Sequence, residues 1–209
     1  MNALAVETLK KKERFRRTVF MSYREYWVQI QEKREELNSL ISSYWSDYSN
    51  LGTWEFWLVL SLLVLPLFLL YFIDRKRIFE LFCYGYTIHL LWTYIDLILE
   101  NQNYLIHTRF LTPLLPFALT VTTSLLPIGF LLLYQYCTNH KKNFYVYTVI
   151  LSAIFVYVFM SLENVIGLVE FDRGMNQFYV LIIDISIAYI SYWFVIGIKR
   201  FIHPNTKEG

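Results

Sequence analysis

The chain has 209 residues and a formal net charge of +2, and 56% of its residues are hydrophobic while only 17% are charged. Soluble domains carry about 25% charged residues, so the composition argues against an ordinary soluble protein. The small net charge argues against nucleic acid as a partner. The two cysteines, Cys83 and Cys137, lie in apolar segments, where we expect reduced thiols rather than a disulfide or a metal site.

Residues 1–50 differ in character from the rest of the chain. A basic run, KKKERFRR, is followed by apolar residues at alternating steps of three and four, a spacing typical of one face of a helix with charged flanks. Two interpretations stay open. The helix lies on the membrane surface with the basic run on anionic headgroups, or it pairs with another helix, in this protein, in a second copy or in a partner protein. The residues of this face are Val19, Tyr23, Tyr26, Ile30, Leu37, Leu40 and Tyr44.

Five apolar blocks follow, separated by short polar connections. About 20 apolar residues in a helix cover the roughly 30 Å hydrocarbon core of a bilayer, and each block approaches that length. The sequence therefore predicts an all-α polytopic membrane bundle of five transmembrane helices plus the N-terminal amphipathic helix, with a kink at Pro127 in the third span. The predicted spans are 54–73, 78–99, 115–137, 144–166 and 177–198, and the predicted domains are 1–50, 51–200 and a polar tail 201–209.

Basic residues near the span ends predict the orientation, because Lys and Arg favour the cytoplasmic side. Eight lie on one side, and only Lys33, Arg34, Arg109 and Arg173 lie on the other. We expect a cell-membrane protein with its N-terminus outside and its C-terminus in the cytoplasm. The eight are Arg75, Lys76, Arg77, Lys141, Lys142, Lys199, Arg200 and Lys207.

Four ionisable residues within the apolar blocks form a candidate intramembrane polar site: His89, Asp96, Glu163 and Asp184. An ionised group at the bilayer centre costs about 2.5–3.5 kcal/mol on insertion scales, so such residues usually face the bundle interior. His89 and Asp96 are seven residues apart and share one helix face. The predicted orientation places the three carboxylates in the outer half of the membrane and His89 near its middle.

Three residues of the outer loops are candidate partners for these carboxylates: His107, Arg109 and Arg173. The alternative is that Asp96 and Glu163 face lipid headgroups from the span ends, and that His89 only hydrogen-bonds a neighbouring helix. Glu80 lies beside the basic loop instead, and we expect it to pair with Arg75 or Arg77.

Catalytic motifs are missing from the sequence. It contains no GxSxG, HExxH, P-loop or GxGxxG pattern. The sequence therefore predicts neither an enzyme nor a cofactor.

Several segments resemble a family of small multi-pass membrane proteins from Bacillus- and Clostridium-type bacteria that has no assigned function. The similar segments are YWSDYSNLGTWEFWLVLSLLVLPLFLLYFIDRKR, ELFCYGY, TYIDLI, PLLPFAL and LLPIGFLLLYQYCTNHKKNF, followed by Glu163. The resemblance covers about residues 44–200 and implies a five-helix layout without implying an activity.

Two functions fit these features. The first is a non-enzymatic partner-binding or sensory membrane subunit that uses the N-terminal helix. The second is a small carrier or proton- or ion-coupled protein with an outward-facing acidic pocket. The sequence favours the first slightly, because five helices without an inverted repeat are unusual for a self-contained transporter.

Overall fold

The computed structural model describes residues 22–116 and 121–202, and most of them are helical. The chain divides into two units, Met1–Tyr44 and Trp45–Gly209. The expected all-α class is confirmed.

Helix α1, Tyr23–Tyr48, occupies the segment where the sequence predicts an N-terminal helix. It begins with a reciprocal cap: the Ser22 amide donates to Glu25 Oε2 at 2.7 Å, and the Glu25 amide donates to Ser22 Oγ at 3.3 Å. No residue of α1 is buried, and the apolar face remains largely exposed, with Leu40 at 67%. Val19 lies outside the described residues.

The described part of the second unit contains six further α-helices and one small sheet. Helix α2 continues as a 3₁₀ turn, Leu69–Phe72, and α5 continues through a π-helical segment, Phe155–Phe159, into α6. Strands β1 and β2 form a two-stranded antiparallel sheet in which Ile106 pairs with Glu170. The bounds are α2 Trp54–Phe68, α3 Ile78–Asn101, β1 Leu105–His107, α4 Leu125–Asn139, α5 Phe144–Ile154, α6 Met160–Val165, β2 Val169–Phe171 and α7 Gln177–Ile202, with short 3₁₀ turns at Arg75–Arg77 and Val121–Thr123.

Local signals explain where these helices begin and end. Asn143 caps α5, because its side chain accepts from the amides of Tyr145 and Val146. Gly167 terminates α6 in the left-handed region, at φ 73°, and the amide of Leu168 then donates to the carbonyl of Glu163. This turn directs the chain into β2.

Within residues 22–116 and 121–202, three helices are long and apolar enough to cross a membrane: Trp54–Phe72, Phe144–Val165 and Gln177–Ile202. They indicate a membrane protein. Helix α3, the second predicted span, is not among the three, since Glu80, His89, Asp96 and Glu100 reduce its apolar character.

Helix α4 also falls short, because its 15 residues cover only about 22 Å. The predicted third span begins at Leu115, whereas α4 begins at Leu125, and residues 117–120 lie outside the described part. Pro127 lies in the first turn of α4, where a missing amide proton breaks no helical hydrogen bond, so it produces no kink within the span.

Helix α3 lies at the centre of the bundle and packs against α4 and α7. Its buried face repeats every three to four residues through Leu81, Tyr84, Ile88 and Trp92, each at most 2% exposed. Gly85 allows a close approach, since a Cβ there would lie 2.9 Å from Leu131 Cδ1.

Long-range contacts group the helix ends. At one end, the Asp74 amide donates to Gln135 Oε1 at 2.8 Å, so the end of α2 meets the end of α4. Arg77 pairs with Glu80 at the same end, with Nη2 to Oε1 at 2.8 Å, which confirms the expected pair. We call this end, with its Arg75–Arg77 turn, the basic end. Cys83 and Cys137 are free thiols, as expected.

Candidate functional site

An acidic cavity lies at the end of the second unit opposite the basic end. Its volume is about 60 Å³, and a water molecule needs about 10–15 Å³, so it can hold several waters or a small organic molecule. Most of its wall is apolar and comes from α2, the sheet, the π segment and α7. The polar groups on the wall are Trp92, His107, Arg109, Thr122, Glu163 and Asp184.

Asp184, in the second turn of α7, is the most deeply buried acid of the cavity, at 1% exposure. Its Oδ1 accepts a hydrogen bond from Trp92 Nε1 at 2.8 Å. Its Oδ2 makes no hydrogen bond of normal geometry with any described residue, although the Ser152 hydroxyl is close enough to interact with the carboxyl group. The Asp184 carboxyl group on the cavity wall therefore has one buried oxygen without a donor of normal geometry among the described residues.

Glu163 reaches the same cavity from α6. The π segment precedes it, and three residues of this segment, Phe155, Val156 and Phe159, also line the wall. π-Helical turns inside α-helices are frequent at functional sites, because the extra residue changes the direction of the side chains around it. Two sequence-predicted carboxylates, Glu163 and Asp184, thus line one cavity from two different helices.

Asp96 belongs to a buried cluster beside the cavity. Its Oδ2 accepts from Thr122 at 3.1 Å and lies 3.6 Å from Nε2 of His107. The other ring nitrogen of His107 lies 3.3 Å from Oε2 of Glu100, whose Oε2 also accepts the His107 amide at 3.1 Å. Burial lowers the pKa of His107, while the nearby Asp96 carboxyl opposes the shift. A neutral imidazole therefore lies between two carboxyl groups that are one turn apart on α3.

Arg109 lies on the cavity wall, but its guanidinium group has other partners. It donates from Nη1 to the Tyr48 carbonyl at 2.6 Å, and its Nη2 lies 3.7 Å from Oε1 of Glu55. Among the loop residues predicted as partners, the structure brings His107 to Asp96 and pairs Arg109 with Glu55.

The remaining two predicted residues lie away from the cavity wall. His89 is half-buried beside the Tyr86 ring, with a centroid distance of 6.3 Å. Arg173 is exposed and occupies the left-handed region at φ 51° in the turn after β2. The shared face of His89 and Asp96 therefore does not make them neighbours in one site.

Four polar residues at the site were not singled out from the sequence: Trp92, Glu100, Thr122 and Ser152. The spacing could have identified Glu100, because it follows Asp96 by four residues and therefore lies on the same face of α3. The direction of the Trp92 indole and the Ser152 hydroxyl depends on how α3, α5 and α7 are rotated, which the sequence does not reveal.

The chemistry of the site is acidic and apolar. Within residues 22–116 and 121–202, no three His, Cys, Asp or Glu side chains are arranged to hold a metal ion.

The chain matches no protein-family model, no curated protein and no solved structure. The resemblance to the bacterial membrane family therefore stays a prediction.

Proposed function

We propose that this chain is a non-enzymatic membrane carrier or ion-coupled protein that takes up a small organic cation in the acidic cavity. The observation that carries the proposal is that Glu163 and Asp184 line one largely apolar cavity while Arg109, its cation, is engaged by Glu55. The apolar wall suits the hydrocarbon part of such a ligand, and the carboxylates suit its ammonium group.

The energetics favour a cationic ligand. A buried carboxylate is costly in a low-dielectric interior unless a positive charge or hydrogen bonds compensate it. Asp184 accepts from Trp92 and lies near the Ser152 hydroxyl, neither of which carries a charge, and burial lowers the pKa of His107. A bound ammonium group would supply the missing positive charge, and ionisable residues inside membranes usually mark pathways for ions or substrates.

We further propose five membrane crossings, with the N-terminus outside and the C-terminus in the cytoplasm. The grouping of helix ends supports this topology, because α2 joins α4 at the basic end while Glu55 at the start of α2 meets Arg109 at the cavity end. The excess of Lys and Arg at the basic end supports a cytoplasmic location for that end. The cavity then opens to the outside.

Calorimetry on the purified protein in detergent tests the proposal with three ligands of similar shape and different charge: benzylammonium, benzyl alcohol and benzoate. We expect binding of benzylammonium alone. Glu163→Gln and Asp184→Asn should each weaken it about tenfold or more, a loss of about 1.4 kcal/mol. Glu170→Gln is the matched control, because Glu170 is exposed on β2 at the same end of the bundle. Equal affinity for the alcohol and the ammonium ion would refute the proposal.

A second candidate function is a partner-binding or sensory subunit, and the exposure of the apolar face of α1 favours it. Ile30, Leu37 and Leu40 are 45–67% exposed along one helix face, and contiguous exposed apolar surface marks sites of protein–protein or membrane interaction. Replacement of these three residues with serine should abolish homodimerisation in detergent, measured as molar mass by light scattering. A monomeric wild-type protein would exclude pairing between two copies.

A further inference from the structure

Two basic loops lie side by side at the basic end. The Arg75–Arg77 turn follows α2, and the loop 140–143 follows α4. Arg77 joins them, because its Nη1 donates to Thr138 Oγ1 and to Asn139 Oδ1, each at 2.7 Å. Both acceptors belong to the last turn of α4, directly before the loop. The two lysines of the loop are therefore held near the other two cations of the turn.

The end of α7 adds a third basic segment. Lys199 Nζ lies 3.1 Å from Glu80 Oε1, and the same carboxylate pairs with Arg77. Glu80 lies in the first turn of α3, directly after the Arg75–Arg77 turn, so this contact brings the last turn of α7, with Arg200, to the two loops. Three segments of like charge thus converge from α2, α4 and α7.

Most cations of these segments have no acidic partner in the described part of the chain. The ion pairs found there involve Arg77 and Lys199, both with Glu80, while Asp74 accepts the amide of Lys76 at 3.0 Å as a cap. Like charges at close range repel one another, so their concentration favours an anionic partner from outside the chain. We call the exposed cations without an ion pair the basic patch: Arg75, Lys76, Lys141, Lys142 and Arg200.

Aromatic side chains border the basic patch. Tyr71 and Phe72 precede the Arg75–Arg77 turn and Phe79 follows it, and the three are 68–90% exposed. Aromatic residues at the ends of membrane helices lie at the level of the lipid headgroups. The exposed apolar surface continues along α2, for example at Phe68. The basic patch therefore lies where a headgroup would follow an acyl chain in contact with α2.

We propose that the basic patch binds the headgroups of anionic phospholipids. The cations attract the headgroup phosphate, and basic clusters next to membrane helices bind anionic lipids in this way. The neighbouring rings and apolar side chains suit the acyl chains of the same lipid. A free phosphate ion would use the cations alone and leave this apolar surface uncovered. The inference goes beyond the proposed function, because it uses no residue of the cavity.

Native mass spectrometry of the full chain, released from a nonionic detergent, tests the proposal. The probes are phosphatidylglycerol and phosphatidylcholine with the same acyl chains. We expect phosphatidylglycerol to bind at least about tenfold more tightly, because each cation near an anionic headgroup adds roughly fivefold to the affinity. Its binding should weaken as the ammonium acetate concentration rises, since salt screens exposed charges. Inorganic phosphate at the same concentration should not displace it.

Two pairs of adjacent cations provide matched variants. The double variant Lys141→Gln, Lys142→Gln should weaken phosphatidylglycerol binding about tenfold or more. The control is Lys33→Gln, Arg34→Gln, an exposed pair on α1, and it should keep the wild-type affinity. All four positions are exposed, and an unchanged thermal midpoint without lipid shows that each variant folds.

Each outcome decides the proposal. Equal affinity for the two lipids, or an equal loss in the two double variants, overturns the basic patch as a lipid site. Displacement by inorganic phosphate overturns a lipid as its occupant. A loss confined to the patch variant, with no effect of phosphate, supports the proposal. No arm uses benzylammonium, so failure of the proposed function leaves this result standing, and the reverse holds as well.

Discussion

The hydrogen bond between Trp92 and Asp184 should make a measurable contribution to stability. The indole Nε1 donates to Oδ1 at 2.8 Å, and both residues are at most 2% exposed. A hydrogen bond to a charged group contributes about 1.5–3 kcal/mol, whereas pairs within membrane bundles average about 0.6 and reach about 1.7. Because the Trp92 indole donates to a buried carboxyl group, we expect a coupling energy near the upper membrane value, about 1–2 kcal/mol.

A double-mutant cycle of Trp92→Phe and Asp184→Ala isolates this coupling, because the loss of ring volume in Trp92→Phe cancels across the cycle. The measurement is the free energy of unfolding in detergent, followed by circular dichroism. Trp193→Phe is the control, since the indole of Trp193 bonds the Tyr145 hydroxyl at 3.1 Å at an exposed position. A coupling energy below about 0.5 kcal/mol would show that the Trp92–Asp184 pair does not hold α3 against α7.

Three further predictions concern other parts of the bundle. Gly129→Ala would place a Cβ 2.6 Å from Cζ of Phe155 on the cavity wall, so we expect a loss of about 1–3 kcal/mol in unfolding free energy and weaker benzylammonium binding. Gly197→Ala, with open space around it, should lower neither. Glu80→Gln removes the ion pairs of Glu80 with Arg77 and Lys199 and should lower the free energy of unfolding by about 1 kcal/mol. High salt should reduce this difference between the wild type and the variant, and an unchanged difference would contradict an electrostatic origin. Burial lowers the pKa of His107, so the unfolded chain binds a proton that the folded chain rejects, and stability should fall as the pH drops below about 6.5. His107→Asn should flatten that dependence in thermal unfolding, and an equal slope in both proteins would exclude His107 as its source.

The sequence predicted the long helices better than the segments between them. The starts at Phe144 and Gln177 match the predicted spans, because apolar runs bounded by polar loops are local signals. The start of α4 differed from the predicted Leu115: two prolines, Pro113 and Pro116, disfavour a helix there, and α4 begins at Leu125. The β1–β2 pair was not predicted, because its strands are three residues each and more than 60 residues apart, so only the tertiary fold brings them together.

The sequence indicated how far along each helix the carboxylates of the candidate site lie, but it did not indicate which way their side chains point. Counting residues along the predicted helices placed Asp96, Glu163 and Asp184 toward the same end, and the structure places all three there. Which of them line the cavity depends on the rotation of each helix about its axis, which apolar sequences scarcely constrain. The partner of Arg109 depends on the approach of α2, and hence the sequence did not reveal Glu55.

The π-helical segment Phe155–Phe159 determines the direction in which Glu163 points. An α-helix advances by about 100° per residue, so one surplus residue absorbed in a wider turn offsets everything downstream by roughly that angle. If this turn adopted ordinary α-helical geometry with the chain intact, Glu163 would rotate away from the cavity. Helix α5, which precedes the turn, would keep its position. Local winding thus governs whether Glu163 adds to the acidity of the cavity, and a shift of one hydrogen-bond register would be enough to remove its contribution, while Asp184 on α7 would remain.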